Sequence, residues 1–127
     1  MAKIERFEEL QSWQKARQLA NTIYDLTDRA SFAKDFQLRD QIRDAAGSVM
    51  HNIAEGFDAG TRAEFIRFLK IARRSASEVQ SELYLAFDRN YIADDHLKTA
   101  YDLATEVKRL INGMIAYLRK KSSEIVR

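Results

Sequence analysis

The side chains able to do chemistry in this chain are two histidines, a few serines and carboxylates, and two runs of arginine and lysine. His51 and Glu55 stand four residues apart, a spacing that puts an imidazole and a carboxylate on one helix face, where they could ligate a metal. The pair lies near a helix end, however, where a solvated imidazole commonly interacts with terminal carbonyls, and a structural role is the better reading. A di-iron bundle would need Glu-x-x-His pairs, and no glutamate here is followed three residues later by histidine. Asp94-Asp95-His96 has the look of an acid/base cluster, but acidic residues at a helix start are stabilised by the helix dipole without any catalytic purpose. Gly56-Phe57-Asp58-Ala59-Gly60 lacks the lysine and the preceding strand of a phosphate-binding loop and reads as a turn. Ser48, Ser75 and Ser77 show no evident histidine partner for a Ser-His-Asp site. With no cysteine there is no thiolate nucleophile, disulfide or Cys-ligated zinc, which suits a reducing cytoplasm. The expectation is a protein that is not an enzyme, with no metal and no cofactor.

The cations are the stronger signal. Between Thr61 and Ser77 stand Arg62, Arg67, Lys70, Arg73 and Arg74 against Glu64 alone, and between Lys108 and Lys121 stand Lys108, Arg109, Arg119, Lys120 and Lys121 with no carboxylate. Arg67, Lys70 and Arg74 fall at i, i+3 and i+7, opposite the face of Phe65, Ala72 and Ala76, so the core sends their charges to solvent as a ridge that could follow phosphates. The formal net charge is only +2, so composition alone does not imply nucleic acid, and Glu78 and Glu82 temper the ridge. No recognition module is visible, so these ten cations would read backbone and shape more than base sequence.

Helices must position them. The 127 residues include no Pro and 4 Gly, while helix formers abound, so an all-α fold follows, with room for one core. Apolar steps of three and four predict a first helix over about 8–28 on Leu10, Trp13, Ala16, Ala20, Ile23, Tyr24 and Thr27. After a short turn at Arg29–Lys34, a second helix over about 35–55 follows Leu38, Ile42, Ala45, Val49 and Ile53, with Gly56 as its C-terminal cap and Gly60 as a second pivot. Thr61-Arg62-Ala63-Glu64 has capping-box spacing and opens a third helix over about 62–89, striped by Phe65, Phe68, Leu69, Ala72, Ala76, Val79, Leu83 and Ala86. A break near Arg89-Asn90 and an N-cap at Asp94 introduce a fourth helix over about 95–121. Short connections make sequential helices antiparallel neighbours, so the expected architecture is a single antiparallel up-and-down four-helix bundle. Met1 to Phe7 contains no apolar run for a signal peptide, and Leu110–Leu118 is too short to span a bilayer, so no membrane is expected.

The fourth helix has apolar surface to spare. Leu97, Ala104, Ile111 and Leu118 form one seven-residue series; Leu103, Leu110 and Tyr117 form another about 100° away. Ile66, Ile71, Tyr84 and Leu85 likewise lie off the main stripe of the third helix. Such surplus usually marks association, with a second copy or with another protein partner, the alternative being a wide stripe buried wholly within one bundle; association is the expectation.

Asn52-Ile53-Ala54-Glu55-Gly56, with Trp13-Gln14-Lys15-Ala16 upstream and Glu64-Phe65-Ile66-Arg67-Phe68-Leu69-Lys70-Ile71-Ala72 downstream, resembles the bacterial four-helix-bundle proteins encoded within intervening sequences of 23S ribosomal RNA genes. The similarity runs from about Phe7 to Leu118 and includes Gln41, Arg43, Ala45-Ala46, Ser48, Ser75 and Glu78. It implies the bundle fold, no established catalytic activity and a ring-like homopentamer, a number that spacing could not supply. A more distant similarity to the accessory bundle proteins of diversity-generating retroelements implies RNA or DNA binding through a basic oligomer. Asp44, Arg74 and Asp58-Ala59-Gly60 depart from the family pattern and relocate charge near the second and third helices.

Overall fold

The computed structural model describes residues 3–126, and the side chains of residues 3–121. Met1 and Ala2, where the stretch read for a signal peptide begins, lie outside the described residues. A 3₁₀ turn at Phe7–Glu9 leads into α1 (Gln11–Thr27), followed by a short α2 (Ala30–Lys34), α3 (Phe36–Asp58), α4 (Arg62–Asp88) and α5 (Asp94–Val126). Among the described residues there is no strand.

α1 packs on α3 and α5, and α4 packs on the same two helices, which closes a four-cornered bundle. Its interior divides into two clusters. One gathers Leu19, Ile23 and Leu26 of α1, Phe32 of α2, Leu38 and Ile42 of α3, Leu83 of α4 and Ala100 of α5. The other gathers Ala16, Val49, Ile53, Leu69, Ile111 and Leu118. Each cluster thus pairs the late part of one helix with the early part of the next, the signature of antiparallel neighbours. The expected stripes of α3 and α4 are buried apart from the half-buried Phe68. On α1 the stripe is turned: Leu19 and Leu26 are buried, whereas Tyr24 stays 47% exposed beneath the Arg43 guanidinium.

Several boundaries differ from the sequence expectation. The first helix does not begin at Glu8, because Leu10 adopts an extended conformation between the 3₁₀ turn and α1 and buries its side chain. The Arg29–Lys34 turn contains α2, whose Phe32 is fully buried and stacks on Tyr91 at 5.3 Å. Gly56 is not a cap: α3 continues to Asp58, and Gly56 is buried inside it against Phe65 and Phe68 of α4, where a side chain would collide. Gly60, at φ +95°, is the residue that needs glycine's freedom. Asn90, at φ 64°, ends α4 in a Schellman motif, with Tyr91 N donating to Ala86 O and Asn90 N to Phe87 O, both at 2.9 Å.

Side-chain N-caps open α3 and α4. Asp35 accepts from Leu38 N at 3.2 Å and from the Tyr91 hydroxyl at 2.9 Å. Thr61 accepts from Glu64 N at 3.2 Å, but the Glu64 carboxylate turns to Arg67 rather than completing the box. At α5 the cap is Ala93, not Asp94: the Ala93 carbonyl accepts from Leu97 N, and its amide donates to His96 Nδ1 at 3.2 Å. α5 also runs past Lys121 to Val126.

Candidate nucleic-acid interface

Antiparallel packing sorts charge along the bundle. The residues around the second cluster (3–18, 47–76 and 106–121) carry 14 Lys+Arg against 7 Asp+Glu. Those around the first (19–46 and 77–105) carry 6 against 11. A nearly neutral chain therefore folds into a bundle with one strongly cationic half and one anionic half. All ten cations singled out from the sequence fall in the cationic half.

They are not equivalent there. Arg67 donates from Nε and Nη2 to both Glu64 oxygens at 3.1 Å. Arg109 grips Glu106 in the same way, at 3.0 and 2.6 Å. These hydrogen bonds, aided by the opposite charge, hold the Glu64 and Glu106 carboxyls below the usual range and raise both guanidinium pKa values. Such i,i+3 pairs on an exposed face offset the charge each arginine would present. Arg67 also lies over the Phe68 ring, 4.6 Å from its centroid.

Lys70, Arg73, Arg74 and Ser77 of α4 and Lys108 of α5 line one open groove between the two helices. Arg73 Nη1 donates to Asn112 Oδ1 at 2.8 Å, and Lys108 Nζ donates to Gln80 Oε1 at 3.0 Å. Both acceptors are neutral, so neither cation is cancelled. Arg62 lies apart, at the start of α4 beside Lys3, Phe57 and Gly60. Arg119, Lys120 and Lys121 are exposed on the late part of α5. All three members of the expected ridge, Arg67, Lys70 and Arg74, are exposed on α4; Arg67 is paired with Glu64, and the groove sets Lys70 and Arg74 beside Arg73 and beside Lys108 of α5. Gln80, which sequence reasoning passed over, had left a signal: it is a polar residue one step after Val79 and three before Leu83, flush with the buried stripe.

The residues considered for catalysis form no hydrogen-bonded Ser–His pair among the described residues. His51 and Glu55 are both exposed. His51 follows Ser48 by three residues, but the Ser48 hydroxyl is 2.9 Å from Ser75 Oγ and accepts from Asn52 Nδ2 at 3.0 Å, a polar bridge between α3 and α4. Among the described residues no three His, Asp or Glu side chains gather where they could hold a metal. Among them, too, no helix is long and apolar enough to cross a membrane.

The apolar residues expected at an interface are dispersed. Tyr84, Leu85 and Tyr117 are 52%, 50% and 55% exposed, while Ile66, Ile71, Leu103 and Leu110 are half-buried. Tyr84 meets Tyr101 edge-on at 5.6 Å near the anionic half, and Tyr117 lies on the cationic half, so the seven do not form one patch.

The fold and groove define an all-helical bundle with a cationic face. The chain belongs to the 23S rRNA-intervening sequence protein family, whose model matches residues 8–113. It is similar to a protein of unknown function from the S23 ribosomal protein family of Bacteroides thetaiotaomicron, at 27% identity and TM-score 0.77, over 83% of this chain and 95% of that one. No curated protein matches this chain.

Proposed function

We propose that this protein is a non-enzymatic, oligomeric bundle of the cytoplasm that binds structured RNA or other nucleic acid through its cationic half. The observation that carries the reading is the segregation of charge, 14 cations to 7 carboxylates in one half, with four cations around the α4–α5 groove that pair with no carboxylate among the described residues. A polyanion gains from such a surface by releasing its own counterions, and a ring of copies would multiply weak contacts into avidity. Membership of the 23S rRNA-intervening sequence protein family is consistent with this reading, and the homopentamer implied by the sequence resemblance is the oligomer we propose.

The test is fluorescence anisotropy of a labelled structured RNA across a salt series, with the Lys70→Glu/Arg74→Glu variant alongside. Both side chains are exposed, so the variant should melt like the parent. Binding that weakens steeply with salt and is reduced at least about tenfold in the variant is the expected result. No binding at low salt would refute the reading and leave a protein-interaction scaffold, using Tyr84, Leu85 and Tyr117, in its place.

A further inference from the structure

Gln80 is only 6% exposed, a primary amide in the wall between α4 and α5. Its Nε2 donates to the Tyr101 carbonyl at 3.2 Å and to Thr105 Oγ1 at 2.9 Å. Both amide protons are therefore committed to α5. Turning the amide over would set its carbonyl against the Tyr101 carbonyl and its NH₂ against an ammonium, so chemistry permits one orientation. The Gln80 carbonyl must face the groove, and there it receives Lys108. Nearer the basic end, the Asn112 carbonyl does the same for Arg73.

An acceptor that served only to join α4 to α5 through a cation would gain from being a carboxylate, because attraction between opposite charges adds to the hydrogen bond. Both acceptors here are neutral amides. They fix long, rotamer-rich side chains in place while leaving their full positive charge available. Arg67 and Arg109, on the flanks, show the contrasting arrangement with glutamate. Residues 73 and 80 are seven apart on α4, about 10 Å along the axis. That is about three phosphate steps at about 3.4 Å of duplex axis per strand.

We propose that Gln80 and Asn112 are positioning residues of a phosphate cradle: they hold Lys108 and Arg73, uncancelled, across the α4–α5 groove, where with Lys70 and Arg74 they take successive phosphates of a nucleic-acid backbone. The inference rests on the nucleic-acid reading above and deepens it. The cradle recognises phosphate oxygens and asks nothing of the bases. A free polyphosphate offers the same oxygens, and competition separates the two sources.

The experiment is RNA binding by anisotropy across a salt series for the wild type, Lys108→Gln, Gln80→Met, Gln80→Glu and Asn112→Ala, with melting curves for each. Lys108→Gln should lower affinity and flatten the plot of log K against log salt by about 0.7–0.9, the contribution of one phosphate contact. Gln80→Met, of similar volume and unchanged charge, should weaken binding about two- to tenfold, the weight of immobilising one such side chain, with the wild-type salt slope retained. Gln80→Glu keeps an acceptor for Lys108 but cancels its charge, so it should lose both affinity and slope. Asn112→Ala, at an exposed position where folding is not at issue, should behave like Gln80→Met.

If Lys108→Gln weakens binding while Gln80→Met and Asn112→Ala bind as the wild type does, positioning is overturned and the groove stands. If Lys108→Gln has no effect on an RNA-binding wild type, the cradle is overturned and nucleic acid binds elsewhere. A wild type that binds no RNA overturns the reading and the inference together. Displacement of RNA by micromolar inorganic tripolyphosphate, weakened equally by Gln80→Met, would overturn the assignment to a backbone strand.

Discussion

Alanine at Gly56 would add one methyl group between α3 and α4. Its carbon would lie 2.7 Å from Phe68 Cβ, 3.0 Å from Phe65 Cδ1 and 3.3 Å from the Phe65 carbonyl oxygen. Carbon atoms pack comfortably at about 3.5–4.0 Å, so the closest contact is short by about 1 Å. No rotamer change relieves it, because Phe68 Cβ is fixed to the α4 backbone; the helices must separate. Overpacking of this kind costs about 1–3 kcal/mol, and the better helix propensity of alanine offsets about 1 kcal/mol of that. Gly113 supplies the control. It is exposed within α5 with nothing within 4 Å of an added Cβ, so Gly113→Ala should stabilise by about the propensity difference alone. The two variants should move in opposite directions in urea unfolding followed by circular dichroism, at matched protein concentration because association shifts apparent stability. Their separation should be about 1–3 kcal/mol. Gly56→Asn sharpens the comparison: at a helix cap asparagine is tolerated, whereas in a packed helix interior it must be worse than alanine. An asparagine variant as stable as the alanine one, or a Gly56→Ala midpoint as high as that of Gly113→Ala, would refute the packing argument.

Glu82 makes stability depend on pH. Burial first, then Glu78 and Asp44, pushes its pKa up to about 7 from 4.5, and its Oε1 is buried without a partner among the described residues while the side chain as a whole is half-exposed. A raised carboxyl pKa means that the contribution to stability is intact below about pH 4.5 and lost as pH rises through about 7. Glu82→Gln should therefore be the more stable protein at pH 8, with the difference shrinking toward pH 5. Solvent screening of the half-exposed group limits the gain to about 1 kcal/mol, readable in thermal melts across pH. Phe32→Ala should destabilise by about 3–5 kcal/mol in the same melts, since α2 inserts that fully buried ring into the bundle. Arg43→Met should cost about 1–3 kcal/mol. It leaves Thr27 and Asp28 without their 2.7 and 2.8 Å donors and uncovers the Tyr24 ring.

The long helices, their order and most of the buried stripe were legible in the residues, because helical periodicity and capping act over three or four positions. Leu38, Ile42, Ala45, Val49 and Ile53 repeat at helical spacing wherever the helix ends up. Gly60 and Asn90 likewise mark breaks that local backbone sterics require. Gly56 was misread for the complementary reason. Its constraint comes from Phe65 and Phe68 on the next helix, and a glycine near an expected terminus carries no mark of what will pack on it. The extended Leu10 and the docking of Phe32 depend in the same way on distant surfaces. Lys70, Arg73, Arg74 and Lys108 were visible as cations, but helical spacing alone grouped Arg67 with the first and third of them. Arg67 and Arg109 meet their glutamates three residues away on the same helix, a spacing already present in the chain; which cations would be held by Gln80 and Asn112 was decided when α4 and α5 came side by side. The polarity of the bundle has the same origin. Segments far apart in the chain share a sign of charge, and only antiparallel packing, driven by burial of the apolar stripes, brings them to one half of the molecule.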